Sequence, residues 1–236
     1  YAKGASVLKQ LVAWVGKEPF VRGVSSYFKK HAWGNTELKD LLVELEKESG
    51  RDLSNWSKLW LETAGVNTLK PEFTLDAEGK YSSFHVLQTA IQEQPTIRPH
   101  RMGIGLFNLE NGKLVRSEYL ELDIDGPRSE IKELIGKKQP DLLLLNDNDL
   151  AYAKIRLDER SAKSALGNLS GIEDSLARTL VWTAAWDATR DGESSASDFI
   201  DLVLGHIGPE TESTTILTLL RQLVTTGTLY TAPSKS

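Results

Sequence analysis

The chain carries histidines at positions 31, 85, 100 and 206 and no cysteine. Disulfides, thiol nucleophiles and cysteine zinc sites are therefore excluded. A hydrolytic zinc helix would set two imidazoles four residues apart around a glutamate, putting both rings and the base on one face. No His-Glu-x-x-His run occurs, and the histidines give no metal-ligand spacing. His31 reads as a capping or interfacial group and His85 as a polar strand residue. Asp147 and Asp149 in LLLLNDNDL resemble the start of a calcium loop, but the later spaced oxygens and the distal glutamate are missing, so a structural turn is expected. Glu121, Asp123 and Asp125 alternate with Leu122 and Ile124, which places the carboxylates on one solvated strand face. Gly103 and Gly105 lie between strand residues rather than in the strand-to-helix setting of a phosphate loop. Ser161, Ser164, Ser194, Ser195 and Ser197 show no Gly-x-Ser-x-Gly pattern and read as cap and loop residues.

Two aromatic features remain. Trp182 and Trp186, in WTAAWD, share a helical face, which implies helix packing or an aromatic wall facing substrate in a cleft. Asp187, Arg190 and Asp191 would be polar fixtures beside them. Tyr1 also admits two readings: ordinary packing at a helix start, or a phenol presented to a neighbouring site, where its hydroxyl could donate to a developing oxyanion.

The elements that must position these residues follow from periodicity. Leu8, Leu11, Val12 and Val15 predict a helix that stops at Gly16 and Pro19. Phe20, Val24, Tyr27 and Phe28 mark a second, and Leu38, Leu41, Leu42 and Leu45 a third, capped by Asn35 or Thr36 and closed by Gly50. Trp56, Leu59 and Trp60 predict a fourth that docks firmly through its two indoles and ends by Gly65. The period then becomes alternating. Phe73 and Leu75 face Phe84 and Val86 across a turn at Gly79, and Met102, Ile104 and Leu106 face Leu120, Leu122 and Ile124 across Asn111-Gly112. Leu142 to Leu145 reads as a buried strand, followed by another in LAYAKIRLD. Together these predict a small antiparallel sandwich. Beyond Glu159, Ile172, Leu176, Leu180 and Val181 suit one helix, Phe199, Leu202 and Val203 a second, and Ile216, Leu219, Leu220, Leu223 and Val224 a third, with the tail beyond Thr225 expected to fray.

The 236 residues are 40% hydrophobic and 26% charged, with net charge −5, which indicates a globular chain. No basic tract suits a phosphate backbone, so nucleic acid is not an expected partner. No apolar run of membrane-spanning length occurs, so no membrane is expected either, and a cytoplasmic location fits the lack of cysteine. The chain begins with Tyr, and its single methionine is the interior Met102, so it is expected to be a piece of a longer polypeptide.

The opening YAKGASVLKQL resembles the segment just downstream of the zinc site in the aminopeptidase N family of gluzincin metallopeptidases, bacterial members especially. Tyr1, Lys3, Gly4 and Ala5 match the family's Tyr-x-Lys-Gly-Ala motif. YFKKHAWGNTELKDLL and SNWSKLWLETAG resemble helical stretches that follow it. NDNDLAYAKIRLD resembles the strand ending the family's β-sandwich, and the chain from Glu159 the start of its helical C-terminal domain. The resemblance implies a multidomain α+β fold. Residues 1–66 would form the helical end of a thermolysin-like catalytic domain, 67–158 a β-sandwich, and 159–236 the start of the helical domain.

The resemblance also implies a parent that is a zinc-dependent aminopeptidase removing N-terminal residues from peptides. Tyr1 would be its oxyanion stabiliser, and Lys3, Gly4, Trp56, Trp60, Trp182 and Trp186 structural residues. The zinc ligands, general base and amine-binding loop would lie upstream of Tyr1 in a segment packing on residues 1–66. No metal is expected in this piece, which should be inactive alone. The alternative is a non-enzymatic protein-binding or scaffold module presenting the carboxylate-rich strands and the Trp182 helix.

Overall fold

Apolar spacing fixes one face of each N-terminal helix. In the structure, a computed structural model describing residues 1–232, these are α1 (Ala2–Val15), α2 (Lys17–Lys30), α3 (Leu38–Ser49) and α4 (Ser54–Leu61). Val7, Leu11 and Val15 recur every four residues along α1 and pack with Leu42, Leu45, Leu53, Trp56 and Trp60. The start of α3 departs from expectation: Glu37 is its cap, and Asp40 accepts from the Glu37 backbone N–H in return. Asn35 and Thr36 stand too early for that exchange, and the Thr36 hydroxyl meets Tyr27 Oη at 2.5 Å instead. Gly50 ends α3 in the left-handed conformation, at φ 69°.

Two hairpins supply most of the sandwich. β1 (Asn67–Leu75) and β2 (Tyr81–Thr89) pair antiparallel with Phe73 opposite Phe84, and β3 (His100–Glu110) pairs with β4 (Lys113–Ile124). Asn111 and Gly112 join the second pair at φ 50° and 80°, the primed-turn conformation matching strand twist. β5 (Arg128–Glu130), β6 (Leu142–Asp147) and β7 (Ala153–Ile155) complete two sheets, ordered β5-β2-β1-β7 and β4-β3-β6. The sandwich is mixed rather than wholly antiparallel, because β7 runs parallel to β1. The chain returns from the second sheet to the far edge of the first, and that crossing sets its direction.

β6 is buried on both faces. Leu143 and Leu145 join Leu69, Phe84, Val86 and Ile104 between the sheets, while Leu142 and Leu144 join Phe107 and Leu114 beneath the C-terminal helices. A continuous leucine run satisfies both demands, whereas alternation would satisfy one.

Those helices are α5 (Glu159–Asn168), α6 (Ser175–Arg190), α7 (Ala196–His206) and α8 (Ser213–Thr225). Ile172 lies outside α6, in the turn before its Asp174 cap, although its side chain is buried in the same core. A single π turn, Thr226–Tyr230, continues α8 where fraying was expected, with Thr226 buried. Residues 233–236 of the expected third unit lie outside the described residues.

The end of β6 changes the reading of Asp147. The expected turn follows it, with Asn148 and Asp149 at positive φ, but the Asp147 carboxylate is fully buried, and Arg116 on β4 approaches it, with Nε 2.7 Å from Oδ2. Arg116 Nη2 donates to both Asp147 and Asp174, 2.9 Å each, which joins the sandwich to the start of α6. Burial raises the Asp147 pKa, against the lowering by Arg116. A Cβ at Gly105 would stand 2.1 Å from Asp147 Oδ2, so glycine there makes room for the ion pair. Gly105→Ala should lower the unfolding free energy by about 3 kcal/mol, the scale for opening a buried pair. Gly4→Ala, in α1 with nothing within 4 Å of the new methyl, should be neutral or stabilising. Urea unfolding midpoints of the two variants check both outcomes.

Candidate functional site

Tyr1 occupies the N-cap of α1, and its side chain is fully exposed among the described residues. Its backbone carbonyl accepts from Ala5 N–H at 2.9 Å, so the residue belongs to the helix start rather than to a loose end. Lys3 reaches the carbonyl of Thr63, beyond α4, at 3.3 Å. One turn of helix thus carries the motif, with its lysine tied to the neighbouring element.

α1 is fixed below that turn by Gln10, a polar residue on an otherwise apolar face. Gln10 is completely buried; its Nε2 donates to the Pro99 carbonyl at 3.2 Å, and its Oε1 accepts from Tyr152 N–H at 2.9 Å. Trp60 Nε1 donates to the same Pro99 carbonyl at 3.1 Å. Both indoles of α4, Trp56 and Trp60, are buried in the first core, with centroids 6.2 Å apart.

Arg98 lies beside them, 2% exposed, with its guanidinium over the Trp60 ring. It pairs with no carboxylate among the described residues. Its donors go to the carbonyls of Leu59 and Ala64, to Thr63 Oγ1 and to Asn67 Oδ1, at 2.6 to 3.2 Å. Carbonyls at the end of α4 carry the negative pole of the helix, so backbone dipoles take the counter-ion's place. His100 follows, wholly buried, edge-on to Trp60 and 2.9 Å from Gln88 Oε1 through Nε2. Since Gln88 Oε1 can only accept, Nε2 carries the proton of the neutral ring. Burial, and then the charge of Arg98, push the His100 pKa down to about 3. The sequence marks none of Gln10, Arg98 and His100 as special; the one available signal was a glutamine three residues from Val7 on a buried face.

The tryptophans of WTAAWD lie in the other helical core. Trp182 is buried, and its indole N–H donates to Glu210 at 3.3 Å. Arg178 also donates twice to Glu210 and, with further hydrogen bonds from Thr211 N–H and Trp182, brings that carboxyl down to about 2. Trp186 is half-buried against Phe199 and Tyr230. A cavity of about 480 Å³ opens between α5, α6 and α7, and neither indole lines it. Asp187 is half-buried, its pKa raised by burial, while Asp191 pairs with Lys154 at 2.7 Å and with Arg156. Both indoles thus take part in helix packing, Trp182 in the core and Trp186 against Phe199 and Tyr230.

No group of three or more His, Asp or Glu among the described residues could hold a metal ion. The described side chains thus form no site for the zinc that the resemblance places upstream of Tyr1. No helix there is long and apolar enough to cross a membrane.

Residues 1–60 match the peptidase family M1 domain, and residues 142–236 match the ERAP1-like C-terminal domain. Aminopeptidase N of Streptomyces lividans is 51% identical across 99% of this chain. These matches make the chain similar to the peptidase M1 family. The chain spans 28% of the length of that relative, and 20% of the mitochondrial aminopeptidase 2 of Saccharomyces cerevisiae, which is 29% identical over 86% of this chain. The chain also shares its fold with Legionella pneumophila aminopeptidase A, solved in complex with aspartic acid. The TM-score is 0.66 at 19% identity, covering 97% of this chain and 26% of that one.

Neutral His100 makes the stability of the chain depend on pH. With a folded pKa near 3 and an unfolded value near 6.5, the unfolded state binds the extra proton between them. Stability should be level above about pH 6.5 and fall on acidification, by up to about 1.4 kcal/mol per unit for this one group. Urea unfolding between pH 7 and 5, where few carboxylates yet titrate, should show that slope, and His100→Gln should flatten it.

Proposed function

We propose that this chain is a downstream part of a zinc-dependent aminopeptidase of the cytoplasm, and that it supplies the Tyr1 phenol to the reaction. The similarity to Aminopeptidase N across 99% of the chain carries the reading. On it, residues 1–66 end the catalytic domain, 67–158 form the β-sandwich and 159–236 begin the helical domain. The core of Val7, Leu11, Leu45, Leu53, Trp56 and Trp60 supports the first boundary, whereas β6 is shared between the sandwich and the C-terminal helices. An upstream segment would pack on the first unit, where Val21, Phe28, Trp33 and Leu38 are exposed.

Tyr1 stands free at the start of a helix whose opposite end is anchored. As a peptide carbonyl becomes tetrahedral, negative charge develops on its oxygen. A phenolic O–H already aimed there forms a stronger hydrogen bond in the transition state than in the ground state. No proton need leave the phenol for this effect. The metal, the attacking water and recognition of the free amine belong to the rest of the protein, and no step involving them is assigned to these residues.

Tyr1→Phe in the full-length protein should lower kcat by about 10²–10³, the scale for one oxyanion donor, while KM changes little. Unchanged kcat on a chromogenic aminoacyl anilide would overturn the role. The 236-residue chain alone should give no turnover with added zinc, and turnover by it would overturn the division of chemistry.

A further inference from the structure

We propose that Gln10 is the positioning residue that fixes where α1 presents Tyr1, an inference resting on the reading of Tyr1 above. Val7, Leu11 and Val15 hold α1 against its core, but apolar contacts are non-directional and tolerate small slides and rotations. Hydrogen bonds set register. Gln10 makes two, in opposite senses, to backbone groups on two different segments: it donates to Pro99 and accepts from Tyr152.

Both partners are themselves held. The Pro99 carbonyl also receives Trp60 Nε1 and lies between Arg98 and His100, whose side chains are hydrogen-bonded in the interior. Tyr152 follows Ala151, whose N–H and carbonyl are both clasped by the Asn146 side chain, at 2.7 and 2.9 Å. The amide of Gln10 therefore references α1 to the sandwich at two fixed points.

Tyr1 is nine residues away, about 13 Å along a straight helix, so a rotation at Gln10 is carried to the phenol. The other polar ties of α1 are weaker. Lys9 meets Asp149 at 3.0 Å where both side chains are 46% exposed, and exposed pairs of this kind hold geometry poorly. Lys3 reaches Thr63 on the surface. A buried amide is costly unless fully paired, and a methionine of similar length would fill the same space without that requirement. What glutamine adds at this position is direction.

Gln10→Met tests the inference in the full-length protein, alone and combined with Tyr1→Phe, using an aminoacyl anilide as substrate. Misplacing a catalytic donor by a fraction of an ångström should lower kcat about tenfold with KM within about twofold. In the Tyr1→Phe background the same substitution should cost less than about twofold, because the group being positioned is gone. Amide hydrogen exchange at Ala5 to Leu8 should quicken, which reads α1 itself rather than turnover. An equal loss of kcat in both backgrounds, or a change in KM alone, would overturn the positioning role while leaving Tyr1 as oxyanion donor. Full activity of Tyr1→Phe would overturn the Tyr1 reading, and this inference with it. Should Gln10→Met be too unstable to assay, Gln10→Asn, which stays neutral but is one methylene too short to reach both Pro99 and Tyr152, is measured in the same two backgrounds and judged by the same criteria.

Discussion

A guanidinium buried without a carboxylate partner among the described residues is the interaction on which the N-terminal half depends. Arg98 enters the interior because four backbone and side-chain oxygens at and beyond the end of α4 are turned toward it. Removing an ion from water costs several kcal/mol even after relaxation, so each of those oxygens has to stay where it is. Their positions fix the end of α4 and the start of β1, and the segment from Arg98 to His100 fixes the start of β3. Burial pulls the Arg98 pKa downward, and the neighbouring His100 remains neutral in the same desolvated space. Helix and sandwich are thus joined by a polar seam rather than by a greasy interface alone.

The second joint has a different construction. β6 lends one row of leucines to the space between the sheets and the other row to the helices, so neither core is complete without it. Its edge amide at Leu143 donates to Ser161 Oγ on α5 at 2.9 Å, which closes the exposed side of the strand with a helix residue. At its end, Asp147, Arg116 and Asp174 bind strand, hairpin and helix start together. A paired charge inside a tight glycine cradle resists sliding in a way that leucine contacts do not.

Much of the architecture was legible in the sequence, because the helices and hairpins announce themselves by period and by punctuation. The leucine stripe of α3 with Gly50 behind it, and the Asn111-Gly112 turn between alternating strands, are local signals that tertiary packing did not override. The failures are equally local in form and non-local in cause. Nothing near Ala153 reveals that β7 returns parallel to β1, since the partner that sets its direction, beginning at Asn67, is distant in sequence. Asp147 reads as a turn carboxylate because its partner Arg116 is 31 residues away. Ile172 has the spacing of the helix that follows, yet Asp174 caps that helix two residues later. For the site, the phenol and its motif were visible, whereas the groups that hold α1 in place were not, because a glutamine, an arginine and a histidine carry no meaning until the fold buries them.

Stability and proposed chemistry occupy opposite ends of the same helix. The buried residues of α1 are Val7, Gln10, Leu11 and Val15, while the first turn, with Tyr1 and Gly4, is exposed. A donor to a developing charge contributes most when it needs no reorganisation at the moment of reaction, so it must be held without being covered. Anchoring the helix through Gln10 supplies that order through the backbone. That arrangement also explains why the anchor is polar: packing alone would keep α1 attached, but two hydrogen bonds of opposite sense are needed to keep it from turning.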